Sequence, residues 1–200
     1  MIKVKPIKLI AVFVFLSISS VNAQISEKPE DISPLLIGEK IPASNLINEL
    51  GETISLNSQI SKMNTVLVFY RGGWCPFCNL QLSGLATSTP DIVKLGYQVI
   101  AISPDDYKNI KPTIKKGTLN YKLYSDPKGK FIQQMGIAFT PDPRTKGYIS
   151  KNTIGKATSV LPVPTVVVVN TKGEILFEYI APNFKQRISS ELLLAVLENL

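Results

Sequence analysis

The sequence predicts an α/β domain in which a central mixed β-sheet is flanked by helices on both faces. Residues 65–70 and 97–103 are continuous runs of strand-forming side chains without polar alternation, as expected of parallel strands that are buried on both faces. Helical patterns follow both runs. Two further strands, at 165–169 and 175–179, form a hairpin before a closing amphipathic helix, so we expect the sheet to be parallel at first and antiparallel at its end.

The first 23 residues have the pattern of a secretory signal peptide. Three lysines precede an apolar run at 9–18, and small residues at 21–23 form a cleavage site. An uncleaved anchor is the alternative, but the run is shorter than the roughly 20 residues of a spanning helix. We expect a mature protein that begins near Gln24, has no membrane association and is exported to the periplasm or the medium.

The mature chain has the size of one domain. Residues 24–34 are polar, charged and proline-containing, which predicts a flexible lead-in, and residues 35–200 form the domain. The chain is 44% hydrophobic, which is enough for one substantial core.

The first helix is expected to follow the first buried strand directly. A helical pattern begins at Pro76 and fades by Pro90, and a short second helix is predicted at 91–95. Residues 104–106 open the next helix, because proline and acidic residues suit a first helical turn.

Shorter elements complete the predicted order. A strand is expected at 121–124, about two helical turns at 130–135, and a hairpin turn at 170–173. The closing helix is predicted from apolar residues that recur every four positions and from two neighbours: Ile188, Leu192, Val196 and Leu200, with Leu193 and Leu197 beside them.

Residues 139–159 do not fit the alternation of strands and helices. The stretch contains prolines, glycines and lysines and predicts a long loop. Loops of this length are either functional or mobile, so a lid or partner contact and a tolerated surface insertion are both open.

Composition excludes several function classes. The chain has no histidine, which excludes Ser-His-Asp and Cys-His catalysis. With only two cysteines in addition, no metal site and no cofactor are predicted. The net charge of +7 is scattered along the chain and accompanies no nucleic-acid motif, so nucleic-acid binding is not expected.

The two cysteines lie where a buried strand ends and a helix begins. Cys75 is placed at the helix N-terminus, where free backbone N–H groups and the helix dipole stabilise a thiolate. Pro76 suits the first helical position because it has no N–H to lose there. Cys78 lies one turn further along nearly the same face, within reach of a disulfide. The pair therefore predicts a redox-active centre.

Two structural interpretations compete with the redox one. A permanent disulfide across so short a loop would remove little entropy from the unfolded chain. Two inert buried thiols are unexpected in an exported protein.

Three further positions are candidates for supporting roles. Arg71 either lowers the pKa of the Cys75 thiol or is a solvated loop residue. Trp74 either shields the sulfur as an apolar wall or belongs to the edge of the core. Pro164 lies at the start of a strand. If the peptide bond before it is cis, that bond is expected to be a retained, functional feature.

With these segments together, the chain resembles the peroxiredoxin-like branch of the thioredoxin superfamily, the alkyl hydroperoxide reductase and thiol-specific antioxidant family. The resemblance covers about residues 35–200. It is carried by residues 37–42, 51–56, 68–78, 101–105 and 163–165.

The resemblance implies a thioredoxin-like fold and assigns roles within it. Cys75 is then the attacking cysteine, Cys78 the resolving one, and Pro164 a cis-proline whose neighbour Val163 lines the substrate groove.

The chain departs from the family pattern at the site. Peroxiredoxins have threonine or serine three residues before the attacking cysteine, where this chain has Gly72, and an arginine near 161–165, where it has none. The buried acid that thioredoxins carry on the strand before the motif is also missing from 65–70, so proton transfer would need water or Tyr70.

Three functions remain open at this stage. The first is an antioxidant peroxidase, in which a hydroperoxide oxidises Cys75 to a sulfenic acid, Cys78 resolves it, and a thioredoxin-type partner supplies electrons. The second is a thiol:disulfide oxidoreductase acting on protein disulfides. The third is a binding module without turnover, which would not depend on Cys75.

Overall fold

A computed structural model describes residues 25–155 and 158–200. The predicted signal peptide and its cleavage site lie outside the described residues. No helix within the described ranges is long and apolar enough to cross a membrane.

Within these residues, seven strands form one mixed sheet in the order β2-β1-β5-β4-β3-β8-β9, and β6 and β7 form a two-stranded sheet. The strands are β1 (Asn45–Ile47), β2 (Thr53–Ser55), β3 (Asn64–Phe69), β4 (Tyr97–Ser103), β5 (Lys122–Ser125), β6 (Ala138–Phe139), β7 (Leu161–Pro162), β8 (Thr165–Val169) and β9 (Ile175–Ile180). Strands β3, β4 and β5 pair in parallel, and the other pairings are antiparallel.

Six α-helices accompany the strands in the described part of the chain: α1 (Leu56–Ile60), α2 (Pro76–Lys94), α3 (Ile110–Gly117), α4 (Lys130–Gln134), α5 (Pro143–Asn152) and α6 (Ser190–Leu197). Short 3-10 turns occupy Pro29–Asp31 and Tyr107–Asn109.

The sheet separates two hydrophobic cores, because successive side chains of a strand point to opposite faces. Val66 and Val68 of β3 pack in one core with α2, α3 and α6, and this core contains both cysteines; we call it the thiol core. Leu67 and Phe69 pack on the other face with α1 and α4, which we call the opposite core. The predicted mixed sheet with helices on both faces is confirmed.

The prediction that the helix fades at Pro90 is wrong, because α2 continues through it to Lys94. Proline cannot donate the backbone hydrogen bond that the carbonyl of Ala86 would accept in a regular helix. The side-chain amide of Asn120 donates to this carbonyl at 3.1 Å instead. A residue 34 positions away thus compensates for the missing bond.

The helix expected to open at 104–106 begins later. Asp106 caps the turn Tyr107–Asn109 by accepting from the N–H of Lys108, and α3 starts at Ile110. Asp105 is left outside the helix and is buried.

The segment 139–159, predicted as a loop, contains helix α5. Its first turn is capped by Asp142, whose carboxylate accepts from the backbone N–H groups of Arg144 and Thr145. Pro143 follows at the first helical position.

Further details concern the two ends of the domain. In the predicted lead-in, Ser26 forms a bridge with Phe139, and its carbonyl accepts from the N–H of Thr140 at 2.8 Å. In α6 the buried face is Leu193 and Leu197, whereas Leu192 is 52% exposed.

Candidate active site

Both cysteines lie at the beginning of α2 as free thiols in the reduced state. Cys75 is the N-cap residue, Pro76 the first helical residue, and Cys78 lies in the first turn. The chain enters the helix through a tight turn in which the N–H of Cys75 donates to the carbonyl of Gly72 at 3.1 Å. The Asn79 side chain holds the same turn through the carbonyl of Gly73 at 2.9 Å. Both sulfurs are buried, so the turn and the helix fix their positions.

The pKa values of the two thiols are shifted in opposite directions. A hydrogen bond from the Cys78 side chain lowers the pKa of Cys75 to about 6 against the opposing effect of burial, and the Cys78 backbone N–H, Arg71 and Arg187 also contribute. Burial raises the pKa of Cys78 well above its ordinary value, and the neighbouring Cys75 raises it further. Near neutral pH the site therefore holds a thiolate at Cys75 and a protonated thiol at Cys78.

Arg71 is not a solvated loop residue: it is only 7% exposed. Its guanidinium carbon lies 5.0 Å from the ring centroid of Trp74 and 4.4 Å from that of Phe184. Within the described ranges it forms no ion pair with a carboxylate. Since buried charges need a compensating partner, the Cys75 thiolate is the natural counter-charge for this arginine.

Trp74 connects the motif to α5. Its ring packs edge-on against Tyr148 at a centroid distance of 5.9 Å. The segment predicted as a lid, partner contact or surface insertion therefore contributes a helix to the wall of the site.

A cavity of about 180 Å³ lies beside Arg71 and is called the Arg71 pocket. It is lined by Pro29, Arg71, Phe139, Asp142, Thr145, Pro164, Pro182 and Phe184. Apart from Arg71, its walls come from the lead-in, the 139–159 segment, and the chain before β8 and after β9.

The roles that the resemblance implied for Val163 and Pro164 need correction. Val163 is fully buried and does not line this pocket, whereas Pro164 does. The peptide bond before Pro164 is trans, since the described residues contain no cis bond. Backbone hydrogen bonds from Val163 to Ile137 and from Ala181 to Pro164 hold this segment between neighbouring strands.

Asp105 is a site residue that sequence reasoning placed in a helix. Its carboxylate accepts from the backbone N–H of Gly73 at 2.8 Å. Burial raises its pKa to about 6. Its position just after the carboxyl end of a buried strand could have identified it in the sequence as a site residue. Asp105 is thus a buried acid beside the motif, although it follows β4 and not β3.

Tyr70, named as a proton carrier, is unsuited to that role. Burial, and then the charge of Asp105, raise its pKa far above the ordinary tyrosine value. Asp105 changes its protonation state near neutrality and Tyr70 does not.

The turn requires glycine at position 72, where peroxiredoxins have threonine or serine. Its φ is +147°, and a Cβ there would lie 2.2 Å from Nε1 of Trp74 and 2.6 Å from Oδ1 of Asp105. The indole and the carboxylate therefore occupy the space of the missing hydroxyl side chain. Trp74 Nε1 and Asp105 Oδ1 do not form a hydrogen bond of ordinary geometry. The indole N–H is nevertheless close enough to lower the pKa of Asp105, against the larger effect of burial.

Arg187 is the second site residue that the sequence did not indicate. It lies between β9 and α6, and its Nη2 donates to Sγ of Cys78 at 3.5 Å. No motif surrounds it, so only tertiary structure could reveal it. Arg71 and Arg187 each help to lower the pKa of Cys75.

Unpaired buried polar atoms are concentrated around the thiols. Over the described residues, five such atoms occur: Arg71 Nε, Trp74 Nε1, Gln81 Oε1, Asp105 Oδ1 and Arg187 Nε. Four of the five belong to the residues just described. Native proteins satisfy nearly all buried polar groups, so this cluster sets the surroundings of the thiols apart from the rest of the described residues.

The chain is similar to known peroxiredoxins in sequence and in fold. A putative peroxiredoxin bcp of Haemophilus influenzae is 34% identical over 106 residues, which are 53% of this chain and 68% of that protein. Peroxidoxin BcpB of Mycobacterium tuberculosis has a similar fold, with a TM-score of 0.65, 18% identity, and coverage of 82% of this chain and 96% of that one. Reduced Prx3 of Vibrio vulnificus in complex with hydrogen peroxide gives a TM-score of 0.68, 15% identity, and coverage of 82% and 99%.

These structural neighbours confirm the predicted thioredoxin-like fold class. The sequence model of the AhpC/TSA family matches residues 37–177, a span that includes both cysteines. Together with the Haemophilus relative, this match shows that the chain belongs to the AhpC/TSA family of thiol-based oxidoreductases.

Proposed function

We propose that this protein is a thiol-dependent peroxidase that reduces hydroperoxides and passes through a Cys75–Cys78 disulfide. The observation that carries the proposal is the placement of two free, buried thiols at the N-cap and in the first turn of α2. The pKa of Cys75 is lowered and that of Cys78 is raised, which fits an attacking and a resolving thiol. The peroxiredoxin relatives and the hydrogen peroxide complex of the Vibrio neighbour support the same substrate class.

In the first step the Cys75 thiolate attacks one oxygen of the hydroperoxide. An S–O bond forms, the O–O bond breaks, and the second oxygen takes a proton and leaves as water or an alcohol. Cys75 becomes a sulfenic acid. The Arg71 guanidinium faces the negative charge that moves from sulfur to oxygen in this step.

In the second step the Cys78 sulfur attacks the Cys75 sulfenic acid. The S–O bond breaks, the Cys78 proton and the released hydroxide leave as water, and a disulfide forms. The two residues lie within one helical turn, so ring closure needs only local motion. A thioredoxin-type dithiol then returns two electrons and two protons.

The roles of the two cysteines are tested by single substitutions. We expect Cys75→Ser to abolish peroxide turnover, whereas Cys78→Ser reacts once per molecule and accumulates a sulfenic acid that a trapping reagent detects. Equal residual turnover in both variants would contradict the assignment. A function that survives Cys75→Ser would instead support a binding module without turnover.

A second candidate, reduction of protein disulfides, is favoured by the surface around the motif. Leu80, one turn beyond Pro76, is 72% exposed and offers an apolar surface to another protein. Cys75 itself is only 1% exposed, which favours a small oxidant. Second-order rates with hydrogen peroxide and with a model protein disulfide, measured with thioredoxin and its reductase as electron source, discriminate the two candidates.

We also propose that the protein is exported. Support comes from the charge and hydropathy pattern of residues 1–23, which lie outside the described residues. Mass spectrometry of the protein from the producing cells should give a mature N-terminus near Gln24. Retention of Met1 would overturn this proposal.

A further inference from the structure

Arg187 reaches the thiol that the first chemical step does not use. Its Nη2 donates to Sγ of Cys78 at 3.5 Å, across a sequence separation of 109 residues. Its Nη1 donates to the carbonyl of Phe184, which fixes the guanidinium at the end of its own turn. Its Nε is buried without a hydrogen-bond partner in the described residues. The arginine is thus oriented toward sulfur by contacts within its own turn.

Cys78 must lose a proton before it can attack, whereas Cys75 is already a thiolate near neutral pH. Cys78 is fully buried, and burial is the main reason why it holds its proton. Only a thiolate attacks efficiently in disulfide chemistry. A resolving thiol of this kind needs a nearby cation at the moment when it loses its proton.

We infer that Arg187 is a catalytic residue of the resolving step, in which its guanidinium stabilises the negative charge on Cys78 Sγ. This inference rests on the proposed peroxidase function. As Cys78 loses its proton to the departing hydroxide, charge develops on Sγ, and Nη2 donates to that charge until the new S–S bond removes it. The same contact stabilises Cys78 as the leaving thiolate when a reductant attacks Sγ of Cys75 in the disulfide.

Few other charged or titratable groups face Cys78. Cys75 raises its pKa, the backbone N–H of Arg71 lowers it, and Tyr70 lies close enough for its own pKa to respond to Cys78. Tyr70 remains neutral at accessible pH because its pKa is raised. Among the described residues, Arg187 is therefore the side-chain cation in direct contact with this sulfur.

The test separates sulfenic acid formation from disulfide formation after mixing the reduced protein with hydrogen peroxide. Trp74, the single tryptophan of the chain, lies next to Cys75 and reports both phases by fluorescence. We expect Arg187→Gln to slow the second phase about ten-fold relative to the first, as for loss of a hydrogen bond to a charged group. Raising the pH should restore the rate, because ionisation of Cys78 then no longer needs the cation.

Two further variants serve as controls. Arg187→Lys keeps the charge and should restore part of the rate, whereas Lys185→Gln removes an exposed charge from the same segment and should change neither phase. A second phase of unchanged rate in Arg187→Gln would overturn the inference. So would a slower phase that neither pH nor Arg187→Lys restores, because that pattern indicates a structural role.

An independent measurement does not require peroxide activity. In a Cys75→Ser background, the rate of alkylation against pH gives the pKa of Cys78, and Arg187→Gln should raise it. If the wild-type protein forms no sulfenic acid, the proposed function fails, while this pKa still decides whether Arg187 stabilises the Cys78 thiolate. An unchanged Cys78 pKa would overturn the inference itself.

Discussion

The two faces of the sheet differ in the buried polar atoms that they contain. In the opposite core, Phe69 and Phe131 pack at a centroid distance of 5.6 Å among other apolar side chains. None of the unpaired buried polar atoms found in the described ranges belongs to a residue of this core. Most of these atoms instead surround the thiols at the end of β3. Both faces are thus packed with apolar side chains, and the unpaired polar atoms of the described residues are concentrated on the face that carries the thiols.

Strand β3 joins the two faces. Alternate residues of this strand contribute to each core, and the chain then passes through Tyr70 into the cysteine motif. The central strand is thus held by apolar packing on both sides, and this rigidity positions the turn that carries Cys75. Single substitutions on either face show how far the two faces can be changed independently.

The largest expected effect is on the opposite core. Phe131→Ala removes a fully buried ring and should lower the free energy of unfolding by about 3 to 5 kcal/mol. The pKa of Cys75 should stay the same, because the ring lies across the sheet from the sulfur. Denaturant unfolding and thiolate absorbance against pH measure the two quantities, with the exposed Leu80→Ala as the control. A shifted pKa would show that the faces are not independent.

The next largest effect concerns the turn before Cys75. Gly72→Ala places a methyl group 2.2 Å from the Trp74 indole nitrogen and forces an unfavourable φ on alanine. We expect a loss of about 2 to 3 kcal/mol in unfolding free energy, together with a slower reaction of Cys75 with peroxide. Gly147→Ala, at a glycine of α5 with open space around it, is the matched control. Equal stability of the two variants would refute the steric argument.

Asp105 should make stability depend on pH. Its pKa is raised from 3.8 to about 6 in the folded state, so the protonated form favours folding below about pH 4. That contribution is lost as the pH rises through about 6, and its full size is roughly 2 to 3 kcal/mol. Asp105→Asn should remove this part of the pH dependence.

The Asp105 experiment needs a background without the acidic thiol. Cys75 has a lowered pKa of about 6, so its own contribution to stability is lost as the pH falls and would mask the effect. Unfolding free energies from pH 4 to 7 are therefore compared in Cys75→Ser with and without Asp105→Asn. Parallel curves for the two proteins would exclude the assigned pKa.

The sequence predicted those features that depend on local pattern. The strands at 97–103 and 165–169 were confirmed without change, because continuous apolar runs report burial on both faces. The position of Cys75 at a helix start was likewise predictable from the transition at Pro76.

The features that were missed depend on distant partners. Helix α2 continues through Pro90 because Asn120, from another segment, donates a hydrogen bond to it. Arg187 reaches Cys78 only because the turn that follows β9 brings it there. Helix α5 is a different case, since Asp142 and Pro143 formed a usable start signal that the glycines and lysines after them obscured.

The smallest expected effect, and the one that most sharply tests the thiol face, is on acidity. The test is made in a Cys78→Ser background, where one thiol titrates and a serine hydroxyl can still donate to it. There Arg71→Ala should raise the pKa of Cys75 by roughly one unit or less. The effect is modest because the hydrogen bond from residue 78 is the main cause of the low pKa. Thiolate absorbance against pH measures it, and Arg144→Ala, an exposed arginine of α5, is the control. If both variants leave the pKa unchanged, Arg71 contributes only its stacking between Trp74 and Phe184.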